Sequence, residues 1–184
     1  MTDDFLFCGE NSASHRLVLL HGWGADAEDL VQLGLELVKA QTVVFDVIAL
    51  RAPERLDQVS VGRAWYPLFP ADWEAVPGAI NDLQARLKEL PKKNGVPLER
   101  TILLGFSQGG AMALAAGCDL PLMGLICCSA YPHPNWIAPI KSPPVFLIHG
   151  KKDEIVNYLA SETILKTLRV NKLEVDLMLF EGGH

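Results

Sequence analysis

The sequence has no long hydrophobic run, no basic cluster and few cysteines. The longest apolar stretch, about residues 122–130, is too short to cross a bilayer, so no transmembrane segment is expected. The formal net charge is −6 and no more than two lysines are adjacent, which argues against a nucleic-acid partner. The acidic start, Met1-Thr2-Asp3-Asp4, lacks the basic and apolar regions of a secretory signal.

Cysteine is scarce, and its four positions, 8, 118, 127 and 128, match no zinc motif. Cys127 and Cys128 lie in an apolar run, so buried free thiols are favoured over a redox pair. Reduced thiols and the lack of a signal predict a cytoplasmic protein.

The length of 184 residues, with 49% hydrophobic and 21% charged residues, predicts one globular domain over residues 1–184. Apolar strand-like runs alternate with segments of helical periodicity. The predicted strands cover residues 16–20, 42–50, 101–104, 124–129, 145–148 and 173–179, and the predicted helices cover 27–40, 80–90, 110–116 and 155–168. This alternation predicts an α/β fold with a mostly parallel central sheet and helices on both faces, interrupted by an irregular segment at 52–77.

A serine lies between two glycines in Gly105-Phe106-Ser107-Gln108-Gly109, after a predicted strand and before a predicted helix. This arrangement is the signature of a nucleophile elbow, a turn so tight that larger side chains two residues before and after the serine would collide. The alternative is a helix packed closely on a sheet through small residues. The context favours the elbow, which makes Ser107 the candidate nucleophile of a hydrolase.

Two histidine-glycine pairs, His21-Gly22 and His149-Gly150, also fall where strands are predicted to end. In open α/β sheets, ligands bind beyond the carboxyl ends of the strands. Together with Ser107, these pairs predict an active site at that edge of the sheet.

A serine hydroxyl needs a base to take its proton and a carboxylate to orient the base. Five histidines compete for the role of the base: His15, His21, His133, His149 and His184. On an α/β-hydrolase sheet the chain order is serine, acid, histidine, which favours His184, directly after the last predicted strand. Asp153, a short turn after a strand, is the favoured acid, with the cap of the following helix as its alternative role. Glu154 and Asp176 are weaker candidates, the latter because it lies inside a strand.

Acyl transfer also needs donors for the oxyanion of its tetrahedral intermediate, each of which typically contributes roughly 3 to 4 kcal/mol. The backbone amide of Gln108, at the start of a helix, is expected to supply one. The loop His21-Gly22-Trp23-Gly24 is expected to supply the other from Trp23, although this loop also fits an ordinary strand-ending turn.

Three segments resemble the phospholipase/carboxylesterase family, which includes the acyl-protein thioesterases and small bacterial carboxylesterases. They are Leu-Leu-His-Gly-Trp-Gly-Ala-Asp at 19–26, Gly-Phe-Ser-Gln-Gly-Gly-Ala-Met-Ala at 105–113, and Phe-Leu-Ile-His-Gly through Asp153. The resemblance extends from about Leu17 to His184, and residues 51–53 and 62–66 resemble the family's substrate-side loop. It implies the α/β-hydrolase fold, a triad of Ser107, Asp153 and His184, and no metal or organic cofactor.

The resemblance implies hydrolysis of a small-molecule carboxylic ester or thioester through an acyl-enzyme, as in a carboxylesterase, thioesterase or lysophospholipase. Four aromatic residues of the irregular segment are expected to wall an apolar acyl pocket: Trp65, Tyr66, Phe69 and Trp73. Packing over the sheet fits each of them equally well, and so does a homodimer contact. The alternative function is a catalytically inactive α/β-hydrolase-fold protein that binds a small apolar ligand.

Two departures from the family pattern stand at the acid and at the last residue. Ile155-Val156-Asn157 follows the acid where family members usually carry Val-Pro. His184 is the last residue, whereas the relatives continue with one more helix. The expectation is that the domain lacks a C-terminal helix here and that the natural chain is longer.

Overall fold

A computed structural model describes residues 5–8, 12–56 and 62–184. Within these ranges the strands are β1 (Phe5–Cys8), β2 (His15–Leu20), β3 (Phe45–Leu50), β4 (Glu54–Arg55), β5 (Arg63–Ala64), β6 (Thr101–Phe106), β7 (Gly124–Cys128), β8 (Val145–Gly150) and β9 (Val175–Phe180). Seven of them form one sheet in the order β1-β3-β2-β6-β7-β8-β9. All neighbours in this sheet are parallel except β1, which pairs antiparallel with β3.

The helices of the described residues are α1 (Glu28–Lys39), α2 (Val76–Glu89), α3 (Pro91–Asn94), α4 (Gln108–Gly117) and α5 (Leu159–Val170). Helix α1 packs against β1, β2 and β3, while α4 packs against β6 and β7, α5 against β8 and β9, and α2 against α4. The mostly parallel sheet with helices on both faces is therefore confirmed.

Residues 17–20 of strand β2 are all apolar because both faces of the sheet are covered there. Leu17 and Leu19 belong to the hydrophobic cluster around α1, and Val18 and Leu20 belong to the larger cluster that includes α2, α4 and α5. Alternate side chains of one strand thus supply two separate cores.

Three predicted boundaries, the starts of β3, α2 and α5, were wrong by several residues. Helix α2 begins at Val76 rather than at residue 80. Strand β3 begins at Phe45 rather than at residue 42, and Val43 and Val44 before it are exposed. Helix α5 begins at Leu159 rather than at residue 155, because the residues before it form a turn around the Asp153 side chain. The apolar pattern of the sequence continues through the turns before β3 and α5, so the pattern alone did not show where these two elements begin.

Strands β1, β4 and β5 and the short helix α3 were not predicted. Strand β1 is a short antiparallel edge strand. The segment at 52–77, predicted as irregular, contains the small antiparallel pair β4–β5, and α2 begins inside it with a proline in its first turn. A two-residue strand is too short to show periodicity, so only its pairing reveals it.

The four cysteines are all free in the described structure, but only two of them are buried as the sequence predicted. Cys118 and Cys127 are buried, whereas Cys8 and Cys128 are half-buried. Burial raises the pKa of Cys118 and of Cys128 to about 11, so both thiols are protonated near neutral pH.

Candidate active site

The turn at Ser107 joins β6 directly to α4. Ser107 has a φ of 54° and a ψ of −117°, a conformation that L-residues rarely adopt. Glycine is required on both sides: a Cβ at Gly105 would lie 2.1 Å from the Gly109 carbonyl oxygen, and a Cβ at Gly109 would lie 2.2 Å from the Leu20 carbonyl oxygen. The residue types of the motif therefore follow from the close approach of the two backbone segments, and the serine side chain remains half-buried at the sheet edge.

Three side chains distant in the sequence form a continuous chain of hydrogen bonds above this edge. The Ser107 Oγ lies 3.0 Å from His184 Nε2, and His184 Nδ1 lies 2.7 Å from Asp153 Oδ2. Because a carboxylate only accepts, Nδ1 carries the proton and donates it to Asp153, which leaves Nε2 to accept the Ser107 hydroxyl. The structure thus brings together the three residues that the sequence singled out as nucleophile, acid and base.

The segment that carries His184 is tied to the turn that carries Asp153. The amides of Lys151 and Lys152 donate to the carbonyls of Phe180 and Gly182, each at 2.9 Å. The imidazole of His184 also packs against the Phe106 ring, with 4.8 Å between centroids. These contacts orient the ring toward Ser107.

Asp153 is a buried carboxylate that receives several hydrogen bonds. Its Oδ1 accepts the amides of Ile155 at 3.0 Å and Val156 at 2.8 Å, so Asp153 caps its own turn as well as contacting His184. Burial alone raises the pKa of this carboxyl, but the donors from His184, Val156, Ser129 and Ile155 outweigh burial and hold the pKa at about 2. The group is therefore ionised at neutral pH.

The two predicted oxyanion donors are the backbone amides of Trp23, in the loop after β2, and of Gln108, directly after Ser107. Neither amide has a hydrogen-bond partner among the described residues. Gln108 is the first residue of α4, where helix amides lack internal partners and the helix dipole favours negative charge. A Cβ at Gly22 would lie 3.4 Å from the Ser107 Cβ, so the loop that carries Trp23 runs directly beside the serine.

Backbone hydrogen bonds with Arg63 of β5 hold the loop that carries Trp23. The Gly24 amide donates to the Arg63 carbonyl at 2.9 Å, and the Arg63 amide donates to the Ala25 carbonyl at 3.0 Å. The Arg63 guanidinium also donates to the Ala52 carbonyl at 2.9 Å. Two loops that are distant in the sequence are thereby held in register next to the serine.

The Gln108 side chain has a role that the sequence did not indicate. Its Oε1 accepts the Trp65 amide at 3.1 Å, and its Nε2 donates to the Tyr66 carbonyl at 2.8 Å. Gln108 is buried, so both bonds are shielded from water. One residue thus contributes a backbone amide toward the serine and holds the segment at 65–66 with its side chain.

The four aromatic residues predicted to wall an acyl pocket divide into two pairs. Trp65 and Tyr66 are 2% and 0% exposed and belong to the hydrophobic core, so packing over the sheet is the role that burial favours for them. Phe69 and Trp73 are 74% and 41% exposed. Phe69 meets the Trp23 ring edge-on at 5.0 Å, which gives an apolar surface beside the Trp23 loop.

The other histidines serve different contacts. Buried His21 donates from Nδ1 to the Gly22 carbonyl at 2.8 Å and accepts the Ala52 amide at Nε2, and burial lowers its pKa. His133 lies 3.0 Å from the Tyr66 hydroxyl, and burial lowers its pKa to about 4. His15 contacts the Ser14 hydroxyl beside β2. Buried His149 lies against Asp153, a contact that the sequence did not reveal.

The parallel sheet, the strand–serine–helix elbow and the position of the site at the strand ends are those of the α/β-hydrolase fold. The phospholipase/carboxylesterase family model matches residues 1–184, and the chain belongs to that family. Among the described residues, no helix has the length and apolar character needed to cross a membrane.

The curated relatives include acyl-protein thioesterases. Acyl-protein thioesterase 1 of Neurospora crassa is 33% identical over an alignment of 144 positions that covers 65% of this chain and 58% of that protein. Acyl-protein thioesterase 1 of Yarrowia lipolytica is 28% identical over an alignment of 189 positions that covers 90% of this chain and 82% of that protein. The match thus spans little more than half of the Neurospora protein.

Solved structures of an esterase and a carboxylesterase superimpose on this chain. The crystal structure of esterase PE8 superimposes with a TM-score of 0.88 at 32% identity and covers 97% of this chain and 89% of its own. A carboxylesterase from Mesorhizobium loti superimposes with a TM-score of 0.83 at 20% identity and covers 100% of this chain and 90% of its own, a likeness of fold.

Proposed function

We propose that this chain is a serine hydrolase that cleaves carboxylic esters or thioesters through an acyl-enzyme on Ser107. The hydrogen-bond chain from Ser107 through His184 to Asp153 carries the proposal. Membership of the phospholipase/carboxylesterase family supports it, as does the similarity to proteins named acyl-protein thioesterase and esterase. Residues 1–184 would then act as a single α/β-hydrolase domain.

In the proposed first step, Ser107 Oγ attacks the carbonyl carbon of the substrate while His184 Nε2 takes the hydroxyl proton. Asp153 stabilises the imidazolium that forms and holds it in the tautomer that points Nε2 at the serine. The amides of Trp23 and Gln108 donate to the oxyanion, each contributing roughly 3 to 4 kcal/mol if well aligned. The imidazolium then protonates the leaving alcohol or thiol.

In the second step, water attacks the carbonyl carbon of the acyl-enzyme, and His184 removes a proton from the attacking water. The tetrahedral intermediate collapses, the acid leaves, and Ser107 regains its proton. The apolar surface of Trp23, Phe69 and Trp73 is the proposed contact for the acyl chain. The four reduced cysteines support a cytoplasmic location as part of the same proposal.

The test is a panel of activated esters and thioesters of graded acyl length, assayed with the wild type and with Ser107→Ala. We expect hydrolysis by the wild type, loss of more than about 10³-fold in kcat/KM in the variant, and unchanged circular dichroism. A wild type that hydrolyses none of the panel yet binds an apolar ligand would instead identify an inactive binding protein. Equal turnover by both proteins would exclude Ser107 as the nucleophile.

A further inference from the structure

A second histidine, besides His184, contacts the Asp153 carboxylate. His149, near the end of β8, is fully buried, and its Nε2 lies 3.2 Å from Asp153 Oδ2 and 2.8 Å from the Val156 carbonyl oxygen. Its Nδ1 lies 2.7 Å from the hydroxyl of Ser161, a buried residue of α5. One oxygen of Asp153 is therefore shared by two imidazole rings.

The partners determine where the protons of His149 lie. The Val156 carbonyl only accepts, so Nε2 carries a proton and donates it to that oxygen, and Asp153 Oδ2 lies 3.2 Å from the same nitrogen. In the neutral ring Nδ1 then accepts the Ser161 hydroxyl proton. The Asp153 carboxylate thus lies between His184 and a second ring, which is held between the sheet and α5.

The other bonds to Asp153 come from its own turn and from Ser129. The Oδ1 of Asp153 accepts amides from Ile155 and Val156, which belong to the same turn and move with it. The Ser129 side chain, directly after β7, also donates to Asp153. His149 lies within a strand of the central sheet and contacts both the carboxylate and the Val156 carbonyl. Together with Ser129, His149 therefore holds the carboxylate and its turn against the central sheet.

We infer that His149 is a positioning residue of the reaction proposed above: it holds Asp153 Oδ2 where the Nδ1–H of His184 meets it. The inference rests on the proposed function, in which Asp153 orients His184. His149 does not touch the reacting atoms and acts through Asp153.

Two amide substitutions separate this role from simple packing. In His149→Gln the side-chain amide reaches about as far as Nε2, so it can still donate to Asp153 and to the Val156 carbonyl. In His149→Asn the amide reaches only as far as Nδ1, so it keeps the contact with Ser161 and loses Asp153. Both variants keep a polar group in the same buried position.

For short activated esters, we expect His149→Asn to lower kcat about 10- to 100-fold with KM within about twofold, since misplacing a catalytic group by about 1 Å has effects of this size. We expect His149→Gln to keep kcat within about threefold of the wild type. If His149 serves only to anchor α5 through Ser161, the order of the two variants is reversed, and that result overturns the inference.

A spectroscopic readout does not depend on turnover. The proton between His184 Nδ1 and Asp153 Oδ2 should give a low-field proton resonance, identified by its loss in His184→Ala. We expect this resonance to shift in His149→Asn and to stay in place in His149→Gln. The matched control is Thr101→Val, which removes another buried side-chain hydrogen bond, to the Pro97 carbonyl, at the opposite end of β6 and should change neither kcat nor the resonance.

The outcomes separate this inference from the proposed function. If the wild type hydrolyses no ester or thioester, the proposed function fails, and the resonance alone decides whether His149 positions Asp153. If the wild type is active and His149→Asn is folded with unchanged kcat and resonance, the inference fails alone. Should His149→Asn not fold, Ser161→Ala, which leaves the ring without the group that orients it, is expected to lower kcat about 3- to 10-fold. Unchanged kcat in that variant then overturns the inference.

Discussion

Gly105 and Gly109 approach each other so closely that a Cβ at Gly105 would lie 2.1 Å from the Gly109 carbonyl oxygen. Their contact lets β6 turn into α4 within one residue and imposes the positive φ of Ser107. The position of Ser107 therefore depends on the lack of side chains at Gly105 and Gly109.

Gly105→Ala is expected to lower the free energy of unfolding by about 1 to 3 kcal/mol, because the new methyl group meets rigid backbone. It should also lower kcat, since the turn must open and Ser107 moves with it. Urea denaturation and ester hydrolysis measure the two effects. The matched control is Gly78→Ala in α2, where a Cβ meets no atom within 4 Å and a gain of about 0.5 to 1 kcal/mol is expected. Equal stability changes in the two variants would contradict this explanation.

Gln108→Ala removes both bonds that hold the segment at 65–66. The Trp65 amide and the Tyr66 carbonyl are then left buried without these partners, and we expect a loss of about 2 kcal/mol or more in the free energy of unfolding. Gln84→Ala is the control, since Gln84 is half-buried and makes one bond, to the Ala116 carbonyl. If the two variants unfold at the same urea concentration, the side chain of Gln108 does not support the site as described.

The elbow could be predicted from the sequence because its cause is local. A serine between two glycines, after an apolar run and before a helix, is typical of a nucleophile elbow. The chain order of serine, acid and histidine then favoured Asp153 as the acid and His184 as the base among the candidates. The convergence of β2, β6 and β8 at one edge followed from parallel strand pairing.

The features that were missed depend on contacts between distant segments. The burial of Trp65 and Tyr66 is set by the core beneath them, and the aromatic pattern alone gave no indication of it. The start of α5 is delayed because Asp153 takes the amides of the preceding turn. The contact of His149 with Asp153 depends on how that turn folds back over β8, which periodicity does not encode.

Asp153→Asn tests the orientation of the histidine. The amides of Ile155 and Val156 should hold the asparagine carbonyl oxygen in the place of Oδ1, which leaves the NH₂ group facing His184 Nδ1. The ring must then carry its proton on Nε2, facing Ser107, and we expect kcat to fall by about 10⁴-fold. Glu154→Gln, at the exposed neighbouring residue, is the control and should keep full activity. A loss in the control as large as in Asp153→Asn would reopen the choice of the acid.

The depressed pKa of Asp153 predicts a pH dependence of stability. Its folded pKa of about 2 lies below the ordinary value of 3.8. A carboxyl with a lowered folded pKa stabilises the fold fully at pH values above the unfolded pKa, and this contribution is lost as the pH falls toward the folded pKa. The difference in the free energy of unfolding between the wild type and Asp153→Asn should therefore be constant near neutrality and shift against the wild type between about pH 4 and pH 2.

The His184→Ala variant provides the comparison for that pH dependence. Among the hydrogen-bond donors that lower the pKa of Asp153, His184 has the largest effect. Without His184, the folded pKa of Asp153 should therefore lie closer to 3.8. The acid-dependent loss of stability should then be smaller and be complete at a higher pH, while it still begins near the unfolded pKa. Identical acid-unfolding curves for the wild type and His184→Ala would contradict this assignment.

The most direct measurement is the site and rate of labelling by a fluorophosphonate, which reacts with an activated serine. The mechanism predicts one adduct per chain, mapped by mass spectrometry to Ser107, and much slower labelling in His184→Ala with the fold unchanged. A folded wild type that does not react, or an adduct on any residue other than Ser107, would contradict it.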